Sequence, residues 1–172
     1  FSIFFITLKY HYRYNESRKF HELENVDLTK AIEANILNKN LNGLNWINPF
    51  YKGSPKDEII LINEGIKNIE NEKKEIILFT HYLFLESVTK KKLNYPARTF
   101  TMDGASMPVM GTKYFEYYRS FFANLIKSKN IEKIYFFKHE GISLKNVTDY
   151  IKSDCYISSE NNIFYIFDLK YN

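Results

Sequence analysis

Residues 54–80, SPKDEIILINEGIKNIENEKKEIILFT, place a helix and a strand end to end. Ser54 stands where a helix cap is needed, and Pro55 suits the first helical position because its φ is preset and its missing N–H is not required there. Asp57 and Glu58 face the positive end of the helix dipole. Ile59, Ile62, Ile66 and Ile69 then recur at helical spacing, which predicts one apolar stripe and a helix ending near Asn71. Gly65 inside that helix predicts a close backbone approach. The run EIILFT at 75–80 is almost continuously apolar, the mark of a central strand covered on both faces.

Downstream the alternation continues. Residues 112–128 predict a helix whose inner row is Tyr114, Tyr118, Phe121 and Leu125, widened by Phe115, Phe122 and Ile126, with Lys113, Glu116, Arg119 and Lys127 outside. Residues 131–137 predict a second central strand. Ser143 opens a short helix reaching Lys152, and 155–158 and 163–169 predict a hairpin closed by Ser159–Asn162. Residues 82–88 fit a strand continuation or a short helix. Residues 97–101 fit another strand, followed by a loop at 102–111 in which Asp103-Gly104 signals a turn.

Upstream, Ile6, Leu8, Tyr10, Tyr12 and Tyr14 alternate with Thr7, Lys9, His11 and Arg13, which predicts a half-buried strand with an aromatic face. Asp27 is placed to cap a short helical stripe of Leu28, Ala31, Ile32 and Ile36. The Asn-rich stretch 38–48 reads as loop, with a short strand at 44–47. The element order predicts one α/β domain over residues 1–172. It is three-layered and Rossmann-like, with a mixed, mostly parallel sheet, helices on both faces and a C-terminal hairpin. Its expected core is Ile59, Ile62, Ile66, Ile77, Phe79, Tyr118, Phe121, Leu125, Ile134 and Phe136.

Composition narrows the function classes. An apolar share of 45%, with 15 Phe and 14 Tyr, excludes a disordered chain. A single Cys excludes a disulfide framework and a multi-cysteine metal site. The net charge of +4 is too small and too dispersed for a dedicated duplex binder, and suits mild attraction to an anionic membrane surface. Tyr10-His-Tyr-Arg-Tyr14 interleaves aromatic and basic residues, but period-two alternation separates the rings from the cations, so no nucleic-acid partner is expected. No apolar run of roughly 18 residues exists. The apolar start, Phe1 to Ile6, reads either as the last turns of a membrane helix or as the beginning of a buried strand. A start at Phe1 rather than Met fits a processed or excised chain.

Neither G-x-G-x-x-G nor G-x-x-x-x-G-K-[ST] occurs, which weighs against a dehydrogenase, a P-loop ATPase and most methyltransferases, and no cofactor is expected. No pair of histidines has metal-ligand spacing, so no metal is expected. His81 follows the first central strand and His139 the second. In open α/β sheets ligands bind outside the carboxyl ends of the strands, which makes the two histidines candidate lining residues. Arg98 and Asp103 in the loop before Gly111 can orient a sugar or an anion. Each of the four also fits an ordinary loop residue satisfied locally. Ser106 lacks a G-x-S-x-G elbow, against a serine hydrolase. Lys90-Lys-Lys92 reads as a solvated helix end, and the N-x-[ST] sequons at Asn15 and Asn146 are as many as chance supplies in an Asn-rich chain.

YHYRYNESRKFHEL at 10–23, GLNWINP at 43–49, PKDE at 55–58, IILFTHYLF at 76–84 and KYFEYYRSFF at 113–122, followed by the strand at 131–137, together resemble the extracytoplasmic C-terminal domain of multi-spanning bacterial glycosyltransferases of the GT-C kind. The likeness is one of order and texture across most of the chain. It implies a domain on the periplasmic side of a bacterial inner membrane, whose partners are its own transmembrane part, the membrane surface and a lipid-linked sugar or glycan acceptor. In such proteins the catalytic acid lies in a loop between membrane helices, so no catalytic residue is carried onto this chain. Two other classes remain open: a stand-alone cytoplasmic transferase with a nucleotide-binding-type sheet, and a protein-interaction module.

Overall fold

The computed structural model describes residues 2–14, 23, 26–97, 107–138 and 144–170, apart from the side chains of 12–14, 146 and 147. Contacts divide the chain into two compact units, Phe1–Ile59 and Ile60–Asn172.

The first unit begins with helix α1 (Ser2–Tyr14), where the alternating pattern predicted a strand. An isolated strand leaves its backbone groups without partners, whereas a helix satisfies them internally. Thr7 adds a bond from its Oγ1 to the Ile3 carbonyl at 2.8 Å. Asp27 does cap, accepting from the Thr29 N–H at 3.1 Å, but the turn it starts is a three-residue 3-10 helix, Leu28–Lys30. The chain then leaves helical geometry for strand β1 (Ile32–Glu33), which pairs antiparallel with β2 (Asn45–Trp46). Gly43 lies between them at φ +81°, a left-handed turn that favours glycine. Helix α2 (Pro55–Asn71) starts as predicted, with Ser54 Oγ accepting the Asp57 N–H at 3.2 Å and donating to Asp57 Oδ2 at 2.7 Å.

The second unit holds a mixed sheet of four strands in the order β3-β4-β6-β5. These are β3 (Ile76–Phe79), β4 (Lys133–Phe137), β5 (Tyr156–Glu160) and β6 (Phe164–Leu169). The predicted hairpin is present as β5–β6. Asn161 closes it by accepting the N–H groups of Ile163 and Phe164 at 2.8 and 2.7 Å. The sheet is mixed but not mostly parallel. Of the three pairings only β3–β4 is parallel, because the short turn after β5 folds β6 back between β4 and β5, antiparallel to both.

The expectation of β3 as a central strand is also corrected. It lies at the end of the strand order, while β4 and β6 are central. Its four residues are nevertheless all buried, and its outer edge is covered by the Asn94 segment, whose carbonyl accepts the Leu78 N–H at 2.8 Å. That cover explains why an edge strand reads as a continuous apolar run. The ambiguous stretch 82–88 contains a short helix, α3 (Leu85–Val88). Of the predicted strand 97–101, Ala97 lies in a bend and the rest falls outside the described residues.

Helix α4 (Phe115–Ser128) covers one sheet face, where Phe115 and Phe122 join Ile77, Phe79, Ile134, Phe136 and Phe167 in a single core. The predicted inner row is half right. Tyr118 and Leu125 pack against this core, but Tyr114 and Phe121 are exposed, so Phe121 leaves the core list and Phe122 takes its place. The other predicted aliphatic and aromatic core positions, from Ile59 to Phe136, are buried. The last α-helix is α5 (Lys145–Thr148); its predicted cap, Ser143, lies outside the described residues.

Gly65 answers to its predicted role. A Cβ there would lie 2.8 Å from Phe137 Cε2 and 3.4 Å from the Phe164 ring, and both phenylalanines are fully buried. Gly65→Ala would gain about 1 kcal/mol in helix propensity but incur about 1–3 kcal/mol of overpacking. A net loss of about 1 kcal/mol in urea unfolding, and a larger loss for Gly65→Leu, is the expected result.

Candidate functional site

The sheet end expected to bind ligand is partly described. Parallel pairing of Phe79 with Phe136 brings Thr80 and His81 to the same end of the sheet as Phe137 and Lys138. His81 is half-buried in the turn after β3, where the Tyr82 N–H bonds to Thr80 Oγ1 at 3.0 Å. Arg98, Asp103 and His139 lie outside the described residues, so no geometry joins them to His81.

A different set of polar side chains converges in the first unit. Glu58 is 0% exposed, the only fully buried acidic side chain among the described residues. Its Oε2 accepts from the Trp46 indole N–H at 2.7 Å and its Oε1 from the Asn48 amide at 2.6 Å. Asn48 in turn accepts the Phe50 N–H at 2.9 Å through Oδ1, which holds the loop after β2 in an Asx turn. Asp27, Lys30, Asn48, Tyr51 and Glu58 line a cleft of about 250 Å³, with Ile47 and Pro55 as its apolar wall. Asp27 is held by the Thr29 hydroxyl at 2.6 Å and faces Lys30 at 4.0 Å. A carboxylate, an ammonium, an amide and a phenol around a small cleft can exchange hydrogen bonds with a polyhydroxylated ligand.

Sequence reading took Glu58 for a dipole partner at a helix start. Its neighbours Trp46 and Asn48 precede it by 12 and 10 residues. The signal that points to them is the single Trp of the chain beside two Asn in an otherwise plain loop.

A charged cluster lies at the other end of the sheet, where β4 begins and β6 ends. Lys133 Nζ sits 2.8 Å from Glu72 and 3.4 Å from Asp168, and Tyr135 donates its hydroxyl to Glu72 at 2.8 Å. Burial pushes the Glu72 carboxyl upward. The bonds from Lys133, the Lys74 N–H and Tyr135, with the Lys133 charge, outweigh it and hold the pKa at about 2. Burial and the Glu72 bond push the Tyr135 phenol up, and the Glu72 bond pushes Lys133 up. Because the folded Glu72 pKa is below its ordinary 4.5, the stability it contributes is complete above about pH 4.5 and fades as pH falls through about 2. Glu72→Gln should lose on the order of 2 kcal/mol at pH 7. The gap from wild type should close toward pH 2 in urea unfolding across pH 2–7.

Among the described residues no group of His, Cys, Asp and Glu is arranged to hold a metal ion. Comparison of the chain with family models, curated proteins and solved structures finds no match.

Proposed function

We propose that this chain is a non-catalytic, membrane-associated domain of a glycosyltransferase that uses a lipid-linked sugar, seated on the extracytoplasmic face of a bacterial inner membrane. The observation that carries the membrane part is α1. Ile3, Phe4 and Phe5 are 83%, 72% and 65% exposed, and every described side chain from Ser2 to His11 faces solvent. A helix end that is apolar on all sides needs cover from lipid or protein. The sequence after it carries Lys9, Tyr10, Tyr12, Arg13 and Tyr14, the aromatic and basic residues that suit the headgroup layer. No described helix is long and apolar enough to cross a membrane, and the 13 residues of α1 span about 20 Å, enough to enter one leaflet.

The glycosyltransferase part rests on the resemblance. Two of its stretches, 43–49 and 55–58, meet at Glu58, where the cleft suits a sugar hydroxyl array. The three-layer arrangement is part of the same reading. Phe122 of α4 against Phe79, and Gly65 of α2 beside Phe137 and Phe164, support helices on opposite sheet faces.

Flotation with vesicles containing anionic lipid tests the membrane part. The chain should float, and Phe4→Ser with Phe5→Ser should abolish flotation without changing the thermal midpoint. Equal flotation of the double variant would remove α1 as the anchor. Turnover of a nucleotide sugar by the isolated chain would overturn the non-catalytic reading.

A further inference from the structure

In the second unit a cleft of about 670 Å³ opens between α4 and residues 148–156. Its size lies within the roughly 300–1,000 Å³ range of small-molecule sites. Ala123 and Ile126 of α4 form one apolar wall, and Tyr156 and Leu169 contribute rings and methyls from the sheet. Three cations, Arg119, Lys152 and Lys170, line it against one carboxylate, Asp149. Arg119 pairs with Glu116 on its own helix at 2.7 Å and lies 5.9 Å over the Phe115 ring, and the ion pair is exposed and so weak. Among the described residues Lys152 and Lys170 form no ion pair.

We propose that this cleft binds a phosphate ester of an apolar or aromatic alcohol. Arg and Lys supply the charge-assisted donors that phosphate oxygens accept. The cleft is too large for inorganic phosphate alone, and its apolar wall would remain wet beneath it. A neutral ligand would leave the cationic excess unused. The inference stands on this cleft by itself, so its failure leaves the α1 flotation result unaffected.

The experiment is titration of the 172-residue chain, followed by calorimetry and by amide chemical shifts, with octyl phosphate, 1-naphthyl phosphate, inorganic phosphate and octyl glucoside. At least one ester should bind, with shifts in α4 and residues 148–156, and inorganic phosphate should bind at least tenfold more weakly. Preference for octyl phosphate identifies a lipid-type ligand, and preference for naphthyl phosphate an aromatic, nucleotide-type one. Lys152→Glu with Lys170→Glu should weaken binding tenfold or more, or about 1.4 kcal/mol. Both lysines are exposed, so this variant should keep its thermal midpoint. Ala123→Trp should block the cleft. No binding of either ester at millimolar concentration, equal binding of octyl glucoside, or an unaffected charge-reversal variant would overturn the proposal.

Discussion

Phe122→Ala should destabilise the second unit by about 3–5 kcal/mol, and Phe121→Ala by less than about 1 kcal/mol. The two rings are neighbours in sequence and opposites in environment. Phe122 is 0% exposed and Phe121 is 48% exposed. Phe122 meets Phe79 edge-on at 6.0 Å, stacks with Tyr118 at 6.3 Å and lies 5.9 Å from Tyr150. Truncation would remove these ring contacts together and leave a cavity beneath α4. That cavity cannot collapse easily, because Phe79 is itself stacked on Phe136 at 5.7 Å within the parallel strand pair. Urea unfolding followed by far-ultraviolet circular dichroism measures both variants. A larger loss for Phe121→Ala than for Phe122→Ala would mean that α4 is rotated from the orientation described.

Glu58→Ala should destabilise the first unit by about 2–4 kcal/mol, because it strands two half-buried donors at once and empties a fully buried position. The Trp46 N–H and the Asn48 amide both lose their acceptor. Trp46 is the only tryptophan, so its fluorescence reports this site directly. Its emission should shift and its urea midpoint fall in Glu58→Ala. Glu58→Gln should lose less, since its amide oxygen still serves one donor while its NH2 faces the other. An unchanged Trp46 emission in Glu58→Ala would contradict the bond.

Local chemistry already determined several elements of this protein. The Ser54-Pro55 start of α2, the apolar run of β3 and the Asn161 turn of the hairpin are each specified within a few residues, by a cap, a covered strand and an Asx turn. Gly65 belongs with them, since a glycine inside an otherwise good helix signals a close neighbour even when that neighbour is unknown.

Tertiary structure decided the rest. Helix α4 carries aromatics around most of its circumference, so its periodicity admits two inner rows, and the sheet selects the one containing Phe122. Strand order is a property of pairing, which is why a doubly covered strand such as β3 can stand at the end of the sheet with Asn94 across its edge. Residues 6–14 alternate like a strand, yet with no described strand paired to them their backbone groups are satisfied by helix α1. Glu58 is the sharpest case. Its position one turn into a helix accounts for a carboxylate, but only the folded chain brings Trp46 and Asn48 onto its two oxygens and turns a dipole partner into the centre of a part-buried polar cluster.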